Sequence, residues 1–206
     1  MKNVSDRVRN PFGMRPRCET GDPVCGYGDP AADFHVVGDR PGTHGGARTG
    51  VPFTDTEVGR ALQGVLHVVG LLDAPYADLP EVSNLFLSYL YLCPLPPDEE
   101  PSERGYADHD RFFDAELRAV NAHILLPVGR RATDRVLERY TTRSRKVPRS
   151  MKQRHATEVR GRGFLVVPIM DPRRWSEDDR IAIESTLERI LDSDYRQTKG
   201  VATLIG

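Results

Sequence analysis

The chain has 206 residues, of which 38% are hydrophobic and 29% are charged, and its formal net charge is -1. That length fits one domain with a full core, over residues 1–206, and the near-zero charge gives no general attraction to polyanions. No apolar stretch reaches the roughly 20 residues that span a bilayer, and the first residues, MKNVSDRVRN, lack the apolar centre of a signal peptide. We therefore expect a cytoplasmic protein with no membrane partner.

The predicted elements alternate between strands and helices along most of the chain. An irregular N-terminal segment, 1–31, is rich in Gly and Pro. Short apolar runs predict strands at 33–38, 84–92, 123–128 and 163–169. Helical spacing of apolar residues predicts helices at 55–71, 110–121, 130–140 and 176–192. This alternation, interrupted by a proline-rich loop at 93–108 and a basic insertion at 141–162, predicts an α/β fold. We expect three αβα layers around a central four-stranded parallel sheet, with ligands beyond the strand carboxyl ends.

The loop after the first predicted strand is the most informative segment. Residues 38–53 read GDRPGTHGGARTGVPF and include five glycines, Gly38, Gly42, Gly45, Gly46 and Gly50. Glycines of this kind bring bare backbone N–H groups close to a ligand, and such groups suit anions. Neither the dinucleotide motif GxGxxG nor the Lys-Ser/Thr pair of a P-loop is present. The sequence therefore predicts a ligand site of another kind, and a glycine-rich turn with no chemical role is the alternative.

Positive charge is concentrated between residues 141 and 163, and Glu158 is the only acidic residue in that segment of the sequence. The cations of this basic segment are Arg143, Arg145, Lys146, Arg149, Lys152, Arg154, Arg160 and Arg162. Such a density of cations would neutralise several DNA phosphates and make binding dependent on salt. A solvated basic loop is the alternative.

Four motifs occur in the order and spacing of one known family. Residues 26–42 read GYGDPAADFHVVGDRPG, similar to G-x-GDPDADLMFVGEAPG, and residues 49–53 read TGVPF, similar to GRPFVG. Residues 124–132, ILLPVGRRA, and 166–174, VVPIMDPRR, correspond to VIVALGATA and to an HPS loop. The chain therefore resembles the uracil-DNA glycosylase superfamily, as a divergent member of its iron-sulfur, family 4-like branch.

The resemblance implies an enzyme of base excision repair. Such a DNA glycosylase flips uracil or another deaminated base out of DNA and hydrolyses its N-glycosidic bond. It implies that Asp39 positions or activates water and that Phe53 stacks on the base. It also implies that Gly38, Arg40 and Gly42 surround the base, with peptide N–H groups around the last two donating to its carbonyls. The alternatives are a turn or cap role for Asp39 and a core role for Phe53.

Two positions depart from the family pattern. Tyr89 stands where the family has an Asn that reads the base, and Asp171 replaces the His of the HPS loop. An ionised Asp accepts hydrogen bonds and does not donate them, so Arg173 or Arg174 would have to support the leaving base. Arg173 could also wedge into the DNA, or it could pair with a phosphate like any surface Arg. The alternative function is a non-catalytic module that binds single-stranded or damaged DNA.

The cysteines form the last motif. The resemblance implies a 4Fe-4S cluster held by Cys18, Cys25, Cys93 and His109, with an imidazole in place of the fourth thiolate. His109 follows Cys93 at the spacing of the branch's last two ligands, whereas Cys25 would bind from an altered place. The alternative is three unrelated thiols, for which disulfides are not expected in a reducing cytoplasm.

Overall fold

The computed structural model describes residues 9–96, 99–141, 147–161 and 163–193. Within those ranges six strands form one sheet: β1 Tyr27–Gly28, β2 Phe34–Gly38, β3 Leu85–Tyr89, β4 Ile124–Pro127, β5 Val159–Gly161 and β6 Phe164–Val166. Their order is β1-β3-β2-β4-β6-β5. The four central strands pair in parallel, which confirms the predicted core of the sheet. Two antiparallel edge strands, β1 and β5, were not predicted, because two or three residues are too short to show a pattern.

The helices connect and cover these strands. In the described ranges they are α1 Pro41–His44, α2 Glu57–Val68, α3 Glu103–Val120, α4 Gly129–Tyr140, α5 Met151–Arg154 and α6 Glu177–Asp192, with a 3-10 helix at Pro172–Arg174. Helix α3 begins before its predicted start at 110, because the Ser102 hydroxyl accepts a hydrogen bond from the Gly105 N–H and caps the helix. Helix α5 and strand β5 lie inside the basic insertion, which is therefore more regular than predicted. None of the described helices is both long enough and apolar enough to cross a membrane.

Helices pack on both faces of the sheet. Alternate side chains of β2 point to opposite faces, so Val36 packs in one core with Leu62 of α2 and Ile183 of α6. Val37 packs in the other core with α3 and α4, through Phe113 and Val136. Both faces of the parallel strands are thereby removed from water, which is the usual requirement of a parallel sheet. The three-layer αβα fold is confirmed.

The carboxyl ends of the central strands bring the candidate loops to one edge. Asp39 follows β2 directly. Beyond β4, Val128 forms a parallel bridge with Ile169, and the Gly129 N–H donates to the Ile169 carbonyl at 2.8 Å. This pairing continues past β6 and positions the loop of Asp171 at the edge where β2 ends, as expected for an α/β ligand site.

Candidate active site

A cavity of about 240 Å³ opens at this carboxyl edge. Its walls come from the ends of β2 and β4, from α5 and from the loop after β6. It is lined by Asp39, Thr43, His44, Val128, Gly129, Arg130, Arg131, Met151, Met170, Asp171 and Arg174. The volume lies below the range of about 300–1,000 Å³ that is typical of drug-sized ligands, so the cavity suits a small ring compound. Three predicted site residues, Asp39, Asp171 and Arg174, meet here.

Asp39 has one carboxylate oxygen fixed by a tyrosine. The Tyr106 hydroxyl of α3 donates to Asp39 Oδ1 at 2.6 Å, and the Arg131 guanidinium lies 4.3 Å from the centre of the Tyr106 ring. Burial raises the pKa of Asp39, while the Tyr106 hydrogen bond and the nearby Arg40 and Arg131 oppose that rise. Oδ2 has no hydrogen-bond partner within the described residues. A positioned, partly desolvated carboxylate with a free oxygen can orient or deprotonate a water molecule.

His44 also lines the cavity, although no motif in the sequence selected it. The backbone N–H of Asp39 donates to His44 Nδ1 at 2.9 Å. The imidazole is 1% exposed and stacks on the Phe53 ring, with a centroid separation of 5.5 Å and an interplanar angle of 24°. Burial lowers the pKa of His44 to about 4, so the ring is neutral at pH 7. In the sequence, the ligand-binding prediction for the loop that contains His44 was based on its glycines alone.

Phe53 and Tyr89 do not line the cavity. Both side chains are 0% exposed, and their ring centroids are 5.2 Å apart. The Tyr89 hydroxyl accepts a hydrogen bond from the Phe53 N–H at 2.7 Å and donates one to the Gly45 carbonyl at 2.9 Å. With His44 on the Phe53 face, the space expected for a stacked base is filled by side chains. In this structure Phe53 and Tyr89 are core residues, because a tyrosine reaches the loop that an asparagine would leave open.

The glycine-rich loop holds an internal anion. The backbone N–H groups of Gly46 and Arg48 donate to the Asp55 carboxylate at 2.9 and 3.0 Å. A Cβ atom on Gly45 would lie 1.9 Å from the Thr54 carbonyl oxygen, and one on Gly46 would lie 2.4 Å from that of Val51. These glycines are therefore required by close backbone packing. The expectation that this part of the loop presents its amides to an external anion is wrong.

The three residues expected to surround the base lie outside the cavity wall. A Cβ atom on Gly38 would lie 2.5 Å from the Tyr89 ring, so glycine is needed there for packing. The Arg40 guanidinium forms an ion pair with Glu100 at 3.3 Å. Arg40 is the N-cap of α1 and Gly42 is in its first turn, where amide groups lack acceptors within the helix. Donation from these amides to a base stays a prediction.

Asp171 and Arg173 are bound to each other. Arg173 Nη2 lies 2.6 Å from Asp171 Oδ2, and the Arg173 N–H donates to Asp171 Oδ1 at 3.0 Å. Burial alone would raise the pKa of Asp171, but these hydrogen bonds lower it, so the group is ionised at neutral pH. Arg173 is thus occupied, and it does not line the cavity. Arg174 does line it and has no ion pair among the described residues.

The basic segment is only partly described, because Arg143, Arg145, Lys146 and Arg162 lie outside the described residues. Lys152 binds both carboxylate oxygens of Asp179, at 2.5 and 2.7 Å. Arg154 is buried and forms an ion pair with Asp134. Arg149 is exposed and uses its backbone carbonyl to accept a hydrogen bond from Arg130. The charges of Lys152 and Arg154 are therefore compensated internally, which the sequence pattern did not indicate.

The predicted cluster ligands do not all meet. A cavity of about 620 Å³ is lined by Cys18, Cys93 and His109, and His109 Nε2 lies 3.5 Å from Cys93 Sγ. Cys18 and Cys93 form a disulfide, contrary to expectation, because the fold brings their Cα atoms to 5.4 Å. Cys25 does not line this cavity: its thiol donates to the Met14 carbonyl, and burial raises its pKa to about 11.

This donor set does not fit a 4Fe-4S cluster. Two of its sulfurs are bonded to each other, and the third is a buried thiol whose deprotonation is disfavoured. No group of three or more His, Cys, Asp or Glu side chains in the described part of the chain is arranged to hold a metal ion. The expectation of a cluster held by these four residues is not supported by their positions.

Comparison with known proteins agrees with the fold. The family model described as the uracil DNA glycosylase superfamily matches residues 25–188. The chain belongs to this superfamily. Among similar proteins, the type-5 uracil-DNA glycosylase of Thermus thermophilus is 28% identical over 177 residues, which cover 83% of this chain and 78% of the relative.

Two further relatives match shorter parts of the chain. The type-5 uracil-DNA glycosylase of Pyrobaculum aerophilum is 32% identical over 122 residues, which cover 57% of this chain and 54% of the relative. That of Mycobacterium leprae is 30% identical over 108 residues, which cover 50% of this chain and 47% of the relative. The aligned part is therefore about half the length of each of these two proteins.

Proposed function

We propose that this protein is a DNA glycosylase that releases uracil or another deaminated base from DNA after extruding the nucleotide. The observation that carries the proposal is the cavity at the carboxyl edge, in which the half-buried Asp39 faces a space suited to one small ring. Membership of the superfamily and the names of the type-5 relatives support the same activity. DNA is accordingly the proposed partner.

In this proposal, some residues of the cavity position the water molecule and others contact the base or a phosphate. Asp39 Oδ2 is available to orient a water molecule toward the sugar carbon, while Tyr106 fixes the other carboxylate oxygen. Met151 and Met170 provide polarizable apolar contacts for the ring of the base. Arg174, at the cavity wall, supplies positive charge for a flanking phosphate or for the leaving base. Asp171, ionised by its contact with Arg173, accepts hydrogen bonds and so favours a base that presents an N–H group.

A second candidate function is a DNA-binding module that has lost catalysis. It is favoured by the filling of the predicted stacking space by His44, Phe53 and Tyr89, and by the replacement of the HPS histidine by Asp171. Such a module would bind single-stranded or damaged DNA without cleaving it.

Base release from labelled oligonucleotides distinguishes the two functions. Single- and double-stranded substrates that contain uracil, hypoxanthine or xanthine are incubated with the protein, and abasic sites are cleaved with alkali before electrophoresis. We expect strand cleavage for at least one of the bases. Binding to the same oligonucleotides with no cleavage of any of them would contradict the enzyme and support the module.

A further inference from the structure

His44 lines the cavity and carries one polar atom, Nε2, with no hydrogen-bond partner among the described residues. Its Nδ1 is occupied, because the Asp39 N–H donates to it. A nitrogen that accepts a hydrogen bond carries no proton, so the neutral ring must carry its proton on Nε2. The sequence of the loop and the hydrogen bond from Asp39 together fix one tautomer.

The Nε2 atom faces the cavity beside Gly129. A Cβ atom on Gly129 would lie 3.6 Å from His44 Nε2, and both residues line the cavity. No acceptor for the Nε2 proton is present among the described residues. A donor that opens into a cavity without a protein acceptor leaves its proton for a ligand or a water molecule to accept. Here the ligand atom must be an acceptor.

The ring that carries this donor is rigidly held. Phe53 stacks on it, Tyr89 lies 6.2 Å away between centroids, and the whole side chain is 1% exposed. The Asp39 backbone N–H holds the imidazole through Nδ1, and the Tyr106 hydroxyl holds the Asp39 carboxylate, so both groups have defined positions at the cavity. A preorganised donor next to a water-activating acid is the arrangement that stabilises charge developing on a leaving group.

We propose that His44 is a catalytic residue that donates an Nε2–H hydrogen bond to a carbonyl oxygen of the extruded base. This proposal rests on the glycosylase function above. As the C1′–N bond breaks, its electron pair leaves with the base, whose carbonyl oxygen gains negative charge. The oxygen of the water held by Asp39 bonds to C1′, and the water gives one proton to the Asp39 carboxylate. The base anion takes a proton from solvent after release, and Asp39 returns its proton to solvent.

A neutral imidazole suits this role. Burial lowers the pKa of His44 most strongly; the charge of Asp171 raises it and those of Arg173 and Arg40 lower it, so the pKa is about 4. At neutral pH the ring therefore donates a hydrogen bond without transferring a proton, as buried neutral histidines do in other enzymes. Asp171, an acceptor in the place of the family's histidine, cannot supply that donor. His44, which lines the same cavity, thus supplies the donor that Asp171 lacks.

The test compares two leaving groups. His44→Phe keeps a ring on Phe53 and removes the donor, and His67→Phe, on α2 outside the cavity, is the matched control. Single-turnover release is measured from oligonucleotides with uracil or 5-fluorouracil, whose more stable anion needs less support. We expect His44→Phe to slow uracil release at least tenfold and 5-fluorouracil release less than threefold. His44→Gln, which retains a donor, should recover part of the loss, and His67→Phe should match the parent.

Three outcomes would overturn the proposal. Equal losses for both bases in His44→Phe would make His44 a structural residue, although the glycosylase function would stand. A parent protein that releases neither base would remove the glycosylase function and this role with it. If His44→Phe fails to fold, nitrogen NMR of the parent decides instead: a proton on Nδ1 rather than Nε2 at pH 7 would exclude the donor that the proposal requires.

Discussion

Asp39 and Tyr106 are the pair on which the proposed chemistry depends most directly. If Asp39 orients water, Asp39→Asn should slow single-turnover base release at least tenfold, which corresponds to about 1.4 kcal/mol in the barrier. DNA affinity should change little, because Asp39 contributes no positive charge. Asp73→Asn, an exposed acid outside the cavity, is the matched control. Parent-like release by Asp39→Asn would remove Asp39 from the mechanism.

The hydrogen bond from the Tyr106 hydroxyl should affect the pKa of Asp39. Its hydrogen bond lowers the pKa of Asp39 against the effect of burial, so Tyr106→Phe should raise that pKa. Because Asp39 acts as a carboxylate, the rising limb of the rate against pH should move to higher pH. Tyr140→Phe is a close control, since the Tyr140 hydroxyl binds Asp114 at the same 2.6 Å away from the cavity. An unchanged limb in Tyr106→Phe would contradict this positioning role.

Glu116 should make stability fall as pH rises. The carboxyl is 0% exposed; Oε1 accepts a hydrogen bond from the Gly26 N–H at 3.1 Å, and Oε2 has no partner among the described residues. Burial raises its pKa from 4.5 to about 8, so the folded state holds a proton that the unfolded state releases. The stabilisation is complete below pH 4.5 and is lost as pH rises through about 8.

Glu116→Gln tests this dependence by removing the ionisable proton while keeping an acceptor for Gly26. Melting temperatures between pH 5 and 9 should decline less in Glu116→Gln than in the parent. Glu188→Gln, an exposed substitution on α6, should follow the parent curve. Parallel curves for the parent and Glu116→Gln would show that Glu116 is ionised in the fold.

At the residue scale, the sequence predicted which residues lie near the cavity better than it predicted which side chains they contact. A ligand site was expected beyond the strand carboxyl ends; Asp39 and Asp171 each follow a predicted strand, and they share a cavity. His44 and Tyr106 were missed because their roles depend on contacts: Tyr106 reaches Asp39 across 67 positions of sequence. The core role of Phe53 was one of the two alternatives, and the sequence could not select it because it depends on Tyr89 reaching the loop.

The role of the basic segment in binding DNA is tested by the salt dependence of affinity. If Arg145, Lys146 and Arg149 contact DNA phosphates, replacing all three with Ala should flatten the dependence of log affinity on log salt by about two to three units. Lys152→Ala should change the slope by less than about one unit, because Asp179 already compensates that charge. Fluorescence anisotropy at several salt concentrations measures both. A triple variant with the parent's slope would leave the segment a solvated loop.

At the element scale, length decided what could be predicted. The central strands and the helices α2, α3, α4 and α6 showed their periods because each is long enough to alternate or repeat. The edge strands β1 and β5 were missed because their backbone pairing, not their side chains, defines them. The start of α3 was hidden by the prolines before Ser102, which made the segment resemble a loop.

At the scale of the whole molecule, the disulfide predicts how many cysteine thiols react before and after reduction. Cys18 and Cys93 are 75 positions apart, so their bond ties the segment before β1 to the chain after β3. Protein purified without reductant and then denatured should show one reactive thiol, from Cys25, and three after reduction. Iron analysis of anaerobically purified protein should find none. Three thiols together with about four irons per chain would establish a cluster instead.

The overall architecture was the most predictable level, because alternating strands and helices leave few topologies for a parallel sheet. The disulfide was not predictable, since the sequence shows spacing but not distance. For the same reason the sequence did not show that the Cys25 thiol is directed toward the Met14 carbonyl in the fold.

The internal carboxylate of the glycine-rich loop determines the direction from which DNA can approach. The Asp55 carboxylate accepts the hydrogen bonds of the Gly46 and Arg48 amides, and the Arg48 guanidinium is paired with Asp78. The glycine-rich loop therefore offers a phosphate neither free amides nor an uncompensated positive charge there. By contrast, Arg130 and Arg174 line the cavity and have no ion pair in the described part of the chain. The nucleic acid backbone should therefore cross the molecule over the start of α4 and enter the cavity from that side.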